Sequence, residues 1–174
     1  MAIDTEAPPL RIVTAAQLDI TPAMQPWLTR YRRYGLTILA RAMAVSRYRD
    51  LAPCLYIYGP PGSGKSLLAM TLVKECEAVW CLDCVANAYW LRSNLRLDSI
   101  ALEHCAVLVI DEIDLLNGAD LQRCYRRCLA NGTVLVLLSQ AKETPQAIGF
   151  PLPAGTSVFR LSREDGLVPE GARI

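Results

Sequence analysis

Two regimes of hydrophobic patterning divide the chain. From Ala23 to about Arg49, the apolar residues Trp27, Leu28, Tyr31, Leu36, Leu39 and Met43 recur at spacings of three and four, which predicts helix. Gly35 is a candidate break between two helices. Beyond Pro53, short apolar runs alternate with helical patterns. Cys54–Tyr58 is predicted as a buried strand, Lys65–Glu77 as a helix, Ala78–Leu82 as a second strand and Cys84–Leu91 as a helix. Ala106–Ile110 predicts a third strand, uniformly apolar as a parallel strand covered on both faces should be. Ala119–Ala130 is predicted helical and stopped by Asn131-Gly132, with Thr133–Leu138 and Ser157–Leu161 as the fourth and fifth strands. This alternation predicts an α/β fold, a three-layer sandwich around a five-stranded parallel sheet. Residues 1–22, rich in Pro and small polar residues, are expected to form a flexible N-terminal arm, 23–52 a basic helical segment and 53–174 the α/β domain.

Between the first strand and its helix lies Gly59-Pro60-Pro61-Gly62-Ser63-Gly64-Lys65-Ser66, which fits G-x-x-x-x-G-K-[ST] at every position. Glycines let the backbone curl so that successive N–H groups face phosphate oxygens, and the helix that starts here adds its partial positive charge. Lys65 is expected to reach the β- and γ-phosphates, and the Ser66 hydroxyl to ligate Mg²⁺. Leu67 completes the candidate binding set.

The third strand runs directly into Asp111-Glu112. Ligands of open α/β sheets sit at such strand ends, so Asp111 is placed to hold Mg²⁺ opposite the loop. Glu112, one residue on, is the candidate base that polarises an attacking water, which favours hydrolysis over transfer to another acceptor. Asp114 is expected to be a helix or turn acid. The fourth strand ends in Ser139-Gln140; Gln140 is the first choice for a polar contact to the γ-phosphate or the water, Ser139 the second, and a plain polar strand end the alternative.

Composition narrows the partners. The chain has 174 residues, 52% hydrophobic and 20% charged, with a formal net charge of +1. That excludes wholesale disorder and argues against gripping nucleic acid by bulk charge alone. Its 18 basic residues are nonetheless mostly arginine. Arg30, Arg32, Arg33, Arg41, Arg47 and Arg49 precede the first acid of that stretch, and Arg123, Arg126 and Arg127 cluster on a later helix. A solvated face is one reading and phosphate contact the other. Seven cysteines and an acidic start are expected of a cytoplasmic protein with reduced thiols packed as small hydrophobes, rather than a zinc site at Cys81, Cys84, Cys124 and Cys128. No apolar run is long enough to span a membrane.

Gly59–Ser66, Val107–Glu112 and the Ser139-Gln140 strand end resemble the Walker A, Walker B and sensor-1 motifs of AAA+ ATPases over about Pro53–Leu161. The stretch Val134–Thr144 is most similar to the branch that holds the bacterial replication initiator, its regulatory homologue and the helicase loaders. The resemblance implies ATP and Mg²⁺ as ligands, nucleotide-dependent oligomers, and work on or near DNA with replication proteins such as a sliding clamp or helicase. Two features depart from the family. No helical lid is expected after Leu161, and Pro151–Thr156, where a trans-acting arginine is usual, contains none. Slow turnover by the isolated chain is therefore expected. A small-molecule kinase and a non-hydrolysing ATP-binding adaptor are the alternatives. Gln17-Leu18-Asp19-Ile20 resembles a clamp-docking peptide; the alternative is a segment packed on its own domain.

Overall fold

The computed structural model describes residues 11–48, 50–88 and 97–171. Five parallel strands form the centre: β2 (Cys54–Tyr58), β3 (Val79–Asp83), β4 (Val107–Asp111), β5 (Val134–Ser139) and β6 (Ser157–Ser162). Each lies within a residue or two of its predicted range. Two antiparallel edges extend this sheet. β1 (Ile12–Val13) pairs with β3, and β7 (Gly166–Glu170) pairs with β6, giving the order β1-β3-β4-β5-β2-β6-β7.

Of the expected N-terminal arm, residues 1–10 lie outside the described residues, and residues from Arg11 onward are attached to the sheet. Arg11 N donates to Asn87 Oδ1 at 2.7 Å, and the Asn87 amide returns a bond to Arg11 O at 3.1 Å, so the chain is stapled to the β3 edge. Gln17 Oε1 accepts from Thr14 N at 3.0 Å, and Leu18 packs half-buried against the core. The segment Gln17–Ile20 is thus seated on its own domain.

α1 (Gln25–Arg47) is one continuous helix, so Gly35 divides nothing. Leu28, Tyr31, Gly35, Ile38, Ala42 and Val45 form its buried stripe. Gly35 is there for approach rather than for a break: a Cβ on it would lie 2.8 Å from Thr71 Cγ2 of α2 (Lys65–Glu75). The basic segment is accordingly a layer of the domain. α1 and α2 cover one sheet face with Leu55, Ile57, Val109, Val136 and Leu138. α3 (Gly118–Asn131) covers the other, where Leu121, Cys124 and Phe150 meet Tyr56, Leu108 and Leu137. The three-layer sandwich is as predicted.

Gly132 ends α3 in the left-handed region at φ +74°, its N–H bonding back into the helix, as Asn131-Gly132 foretold. Of the predicted helix Cys84–Leu91, residues 84–87 form turns and 89–91 lie outside the described residues. A single helical turn, α4 (Thr144–Ala147), follows β5. Every described cysteine except Cys76 is buried, and no metal-binding cluster of His, Cys, Asp or Glu occurs among the described residues. No helix among them is long and apolar enough to cross a membrane.

Candidate nucleotide site

The loop leaving β2 owes its shape to glycines at two points, Gly62 at φ +78° and Gly64 at φ +96°, both in the region L side chains avoid. A Cβ on Gly64 would also strike the Tyr31 ring. Its carbonyl oxygens are taken up by the chain's own side chains. Lys65 Nζ donates to Gly59 O at 2.6 Å and Pro60 O at 3.1 Å. Arg163, on the β6–β7 turn, donates through Nε to Gly62 O at 2.7 Å, and the Tyr31 hydroxyl of α1 donates to Ser63 O at 2.9 Å. With these carbonyls engaged, the loop is set up as an anion cradle of N–H groups at the start of α2.

Lys65 is buried, and burial pushes its ammonium below the usual lysine range, opposed by the charges of Glu112, Asp111 and Asp114. A phosphate would restore what burial has cost this cation.

Asp111 closes the other side. It is 3% exposed, accepts the Ser66 hydroxyl proton on Oδ2 at 2.9 Å, and leaves Oδ1 buried without a partner. Burial raises this carboxyl above the usual aspartate range; the Ser66 bond lowers it, Glu112 and Asp83 raise it further, and Lys65 lowers it. A buried, half-satisfied carboxylate beside a hydroxyl fits a hard cation that takes oxygen ligands and keeps several waters, so Ser66 and Asp111 suit Mg²⁺.

Glu112 follows at φ +61° and ψ +55°, the sole non-glycine with positive φ among the described residues. The half-buried residue thus carries a local backbone strain of a kind that concentrates at functional positions, and its charge acts on both Lys65 and Asp111.

The polar strand end is divided. Ser139 is fully buried and donates to Asp114 Oδ2 at 2.8 Å, while Gln140 is exposed one residue further on. Asp114 also accepts from Thr144 Oγ1 at 3.0 Å and so ties the loop after β4 to β5 and α4. Asp114, expected as a helix or turn acid, lies in the short 3₁₀ helix Ile113–Leu115, but its clamping role is not legible in the sequence. Its signal, a hydroxyl at each of Ser139 and Thr144, is legible only once the three segments are adjacent. Among the later arginines, Arg123 pairs with Asp120, and Arg127 donates to the carbonyl oxygens of Leu97 and Ile100. Arg126 is exposed.

Two cavities flank the loop. One, of about 300 Å³, is lined by Trp27, Arg30, Tyr31, Gly62, Leu67 and Arg163. The other, about 270 Å³, opens beside Ser66 and Asp111.

Solved structures share this architecture. A DNA replication initiation factor superposes with a TM-score of 0.51 at 13% identity, over 86% of this chain and 49% of that one. The replication initiator DnaA bound to AMPPCP and single-stranded DNA gives 0.50 at 13% identity, over 85% and 49%. AMPPCP-bound DnaA from Aquifex aeolicus gives 0.47 at 12%, over 85% and 49%. The chain thus spans about half the length of these structures. At such identities the likeness is one of fold. No curated protein matches the sequence. Residues 55–149, more than half of the chain and holding the loop, Asp111, Glu112 and the β5 end, match the model of the "ATPase family associated with various cellular activities": the chain belongs to the AAA ATPase family.

Proposed function

We propose that the chain binds ATP with Mg²⁺ and acts as a nucleotide-dependent switch or assembly factor in the replication or mobilisation of DNA, in the cytoplasm. Asp111 carries the nucleotide reading: a buried carboxylate, one oxygen bonded by the phosphate-loop Ser66, the other free, close enough to buried Lys65 for their charges to interact. On binding, Lys65 exchanges the Gly59 and Pro60 carbonyl oxygens for phosphate oxygens, and Ser66 and Asp111 hold the ion. Mg²⁺ supplies charge neutralisation on the phosphates. Glu112 orients and activates the water. The base and sugar enter the cavity beside Leu67, where Trp27 offers a ring face and Arg163 a cation.

Arg126 is the exposed arginine of α3 that is free to reach a neighbouring subunit's nucleotide, and the oligomer is proposed to form with nucleotide. Until such an arginine arrives, turnover is slow. On α1, Arg32 is paired with Glu75 and Arg41 is bonded to Ser157, whereas Arg30, Arg33 and Arg47 are exposed. These three are the proposed DNA contacts; a clamp or helicase is the proposed protein partner. A clamp contact through Gln17–Ile20 requires that segment to leave its seat on the domain.

ATP binding and steady-state hydrolysis of wild type, Lys65→Ala and Glu112→Gln, each with and without DNA, test this reading. Lys65→Ala should abolish binding. Glu112→Gln should keep binding and lose about 10²–10⁴ of turnover, the worth of a positioned base. Hydrolysis untouched by Glu112→Gln would sink the assignment of the base. Label transferred to an added nucleoside would make the chain a kinase, and tight binding without turnover under any condition an adaptor.

A further inference from the structure

The cavity beside Ser66 and Asp111 has a second carboxylate that the nucleotide site does not use. Asp83 ends β3 as Asp111 ends β4, and the two are register neighbours on adjacent parallel strands. Their side chains therefore leave the sheet on the same face, the one covered by α2, and both line the cavity with Ser66. Asp19, on the docked N-terminal segment, stands at its rim, and Val13, Leu18, Ala69 and Met70 form apolar walls.

Asp83 is held in place. Its Oδ1 accepts from Val85 N at 2.9 Å and from Ala86 N at 3.2 Å, which pins the carboxylate at the strand end. No ion pair to Asp83 occurs among the described residues. Its charge bears on Asp111, which is 3% exposed and has Oδ1 unpartnered. Two carboxylates on neighbouring strands, one of them buried with an unpartnered oxygen, neither in an ion pair among the described residues and only Lys65 acting on Asp111 from further off, are an arrangement that favours a cation between or beside them.

We propose that Asp83 is an outer carboxylate of the metal–nucleotide site: Ser66 and Asp111 hold the ion, and Asp83 holds its water layer from the next strand. Mg²⁺ keeps several of its waters when bound to proteins, and a carboxylate one strand removed from the Ser66–Asp111 contact is placed for those waters rather than for the ion. Such outer groups orient the inner ligands and govern metal affinity. Asp83 thereby makes tight nucleotide binding conditional on the divalent ion, because without it the same charge repels the phosphates. This rests on the nucleotide reading above.

The experiment is calorimetric titration of the full chain with ATP, across a series of MgCl₂ concentrations and in excess EDTA, for wild type, Asp83→Asn and Asp83→Glu. Asn preserves an Oδ1 acceptor for Val85 and Ala86. The expected result for Asp83→Asn is about a tenfold rise in the MgCl₂ needed for half-maximal affinity, while affinity in EDTA stays the same or increases. Asp83→Glu should keep a metal dependence close to wild type. Affinity weakened with metal but not without it separates this role from damage to the β3 turn, which would weaken both together. Unaltered Mg²⁺ dependence in Asp83→Asn, or parallel loss in both conditions, overturns the proposal. Wild type that binds no ATP in either condition overturns it together with the nucleotide reading; wild type that binds normally isolates a failure to Asp83.

Discussion

The Tyr31 hydroxyl of α1 donates to the Ser63 carbonyl oxygen at 2.9 Å, joining the first long helix to the phosphate loop across 32 positions of sequence. Both residues are buried, Tyr31 at 6% exposure and Ser63 at 2%. The same ring lies where a Cβ on Gly64 would go, so α1 both holds the loop and determines that Gly64 must be glycine. Tyr31→Phe keeps the ring and removes only the donor, leaving a buried carbonyl oxygen without it. The cost is about 1–3 kcal/mol. Thermal unfolding should show a Tm lower by several degrees, with ATP affinity reduced about five- to tenfold as the loop loses its anchor. An unchanged Tm and affinity would mean that the loop is held by Lys65 and Arg163 alone.

Gly35 offers a contest between propensity and packing. Alanine is favoured over glycine in a helix interior by about 1 kcal/mol. Against this, the new Cβ would sit 2.8 Å from Thr71 Cγ2, and Thr71 cannot simply turn away because its hydroxyl donates to Leu67 O at 2.7 Å. Overpacking of this kind costs about 1–3 kcal/mol. Packing wins, so Gly35→Ala should lower the Tm by about 2–4 °C. Thr71→Ser removes the obstructing methyl and keeps the hydroxyl, so the double variant should recover the loss. Recovery failing in the double variant would place the cost elsewhere than α1–α2 contact.

What could be read in advance follows from where each interaction is encoded. Gly59–Ser66 and Val107–Glu112 carry their chemistry in contiguous residues, so Ser66 and Asp111 were legible as candidate ligands of one ion, and the structure brings them into contact. The five central strands were legible because burial on both faces makes them continuously apolar. The edge strands were not. β1 is two residues long and held by Asn87, and β7 contains Gly166 and Pro169, which read as turn signals. Pro169 is tolerated because β7 is an edge with an unpaired side. Tyr31–Ser63 and Arg163–Gly62 join segments far apart in sequence, and nothing local in either partner announces them. Of the pair Ser139-Gln140, Ser139 is the last residue of a strand buried on both faces, whereas Gln140, one residue beyond it, is exposed, a distinction the sequence pair does not carry.

Glu112 separates strain from chemistry. A non-glycine residue at φ +61° costs about 1 kcal/mol. Glycine relieves that strain but gains freedom in the unfolded chain worth about 0.4–1 kcal/mol. Glu112→Gly should therefore leave the Tm within about 3 °C of wild type. Glu112→Val, β-branched at the same φ, should lower it clearly. Both should bind ATP, and both should lose hydrolysis. A large stability loss in Glu112→Gly would show that the carboxylate has a structural partner rather than a free catalytic role.

Asp111 predicts a pH dependence of definite sign. Burial raises its folded-state carboxyl above the ordinary aspartate value of about 3.9. The folded chain then binds more protons than the unfolded chain between those two values, so the contribution to stability is full below the ordinary value and is lost as pH rises through the raised one. At neutral pH the ligand-free chain carries this cost, which a divalent cation with nucleotide removes. Asp111→Asn keeps an acceptor for the Ser66 hydroxyl and has no proton to lose. Its Tm without ligand should exceed wild type at pH 7 and approach it below pH about 4. With MgCl₂ and ATP the order should invert, because wild type gains from binding and the variant does not. Paired melts at pH 4 and pH 7, with and without MgATP, decide it: a variant less stable than wild type at pH 7 without ligand would show that the ionised carboxylate stabilises the fold and that burial is not the dominant influence on Asp111.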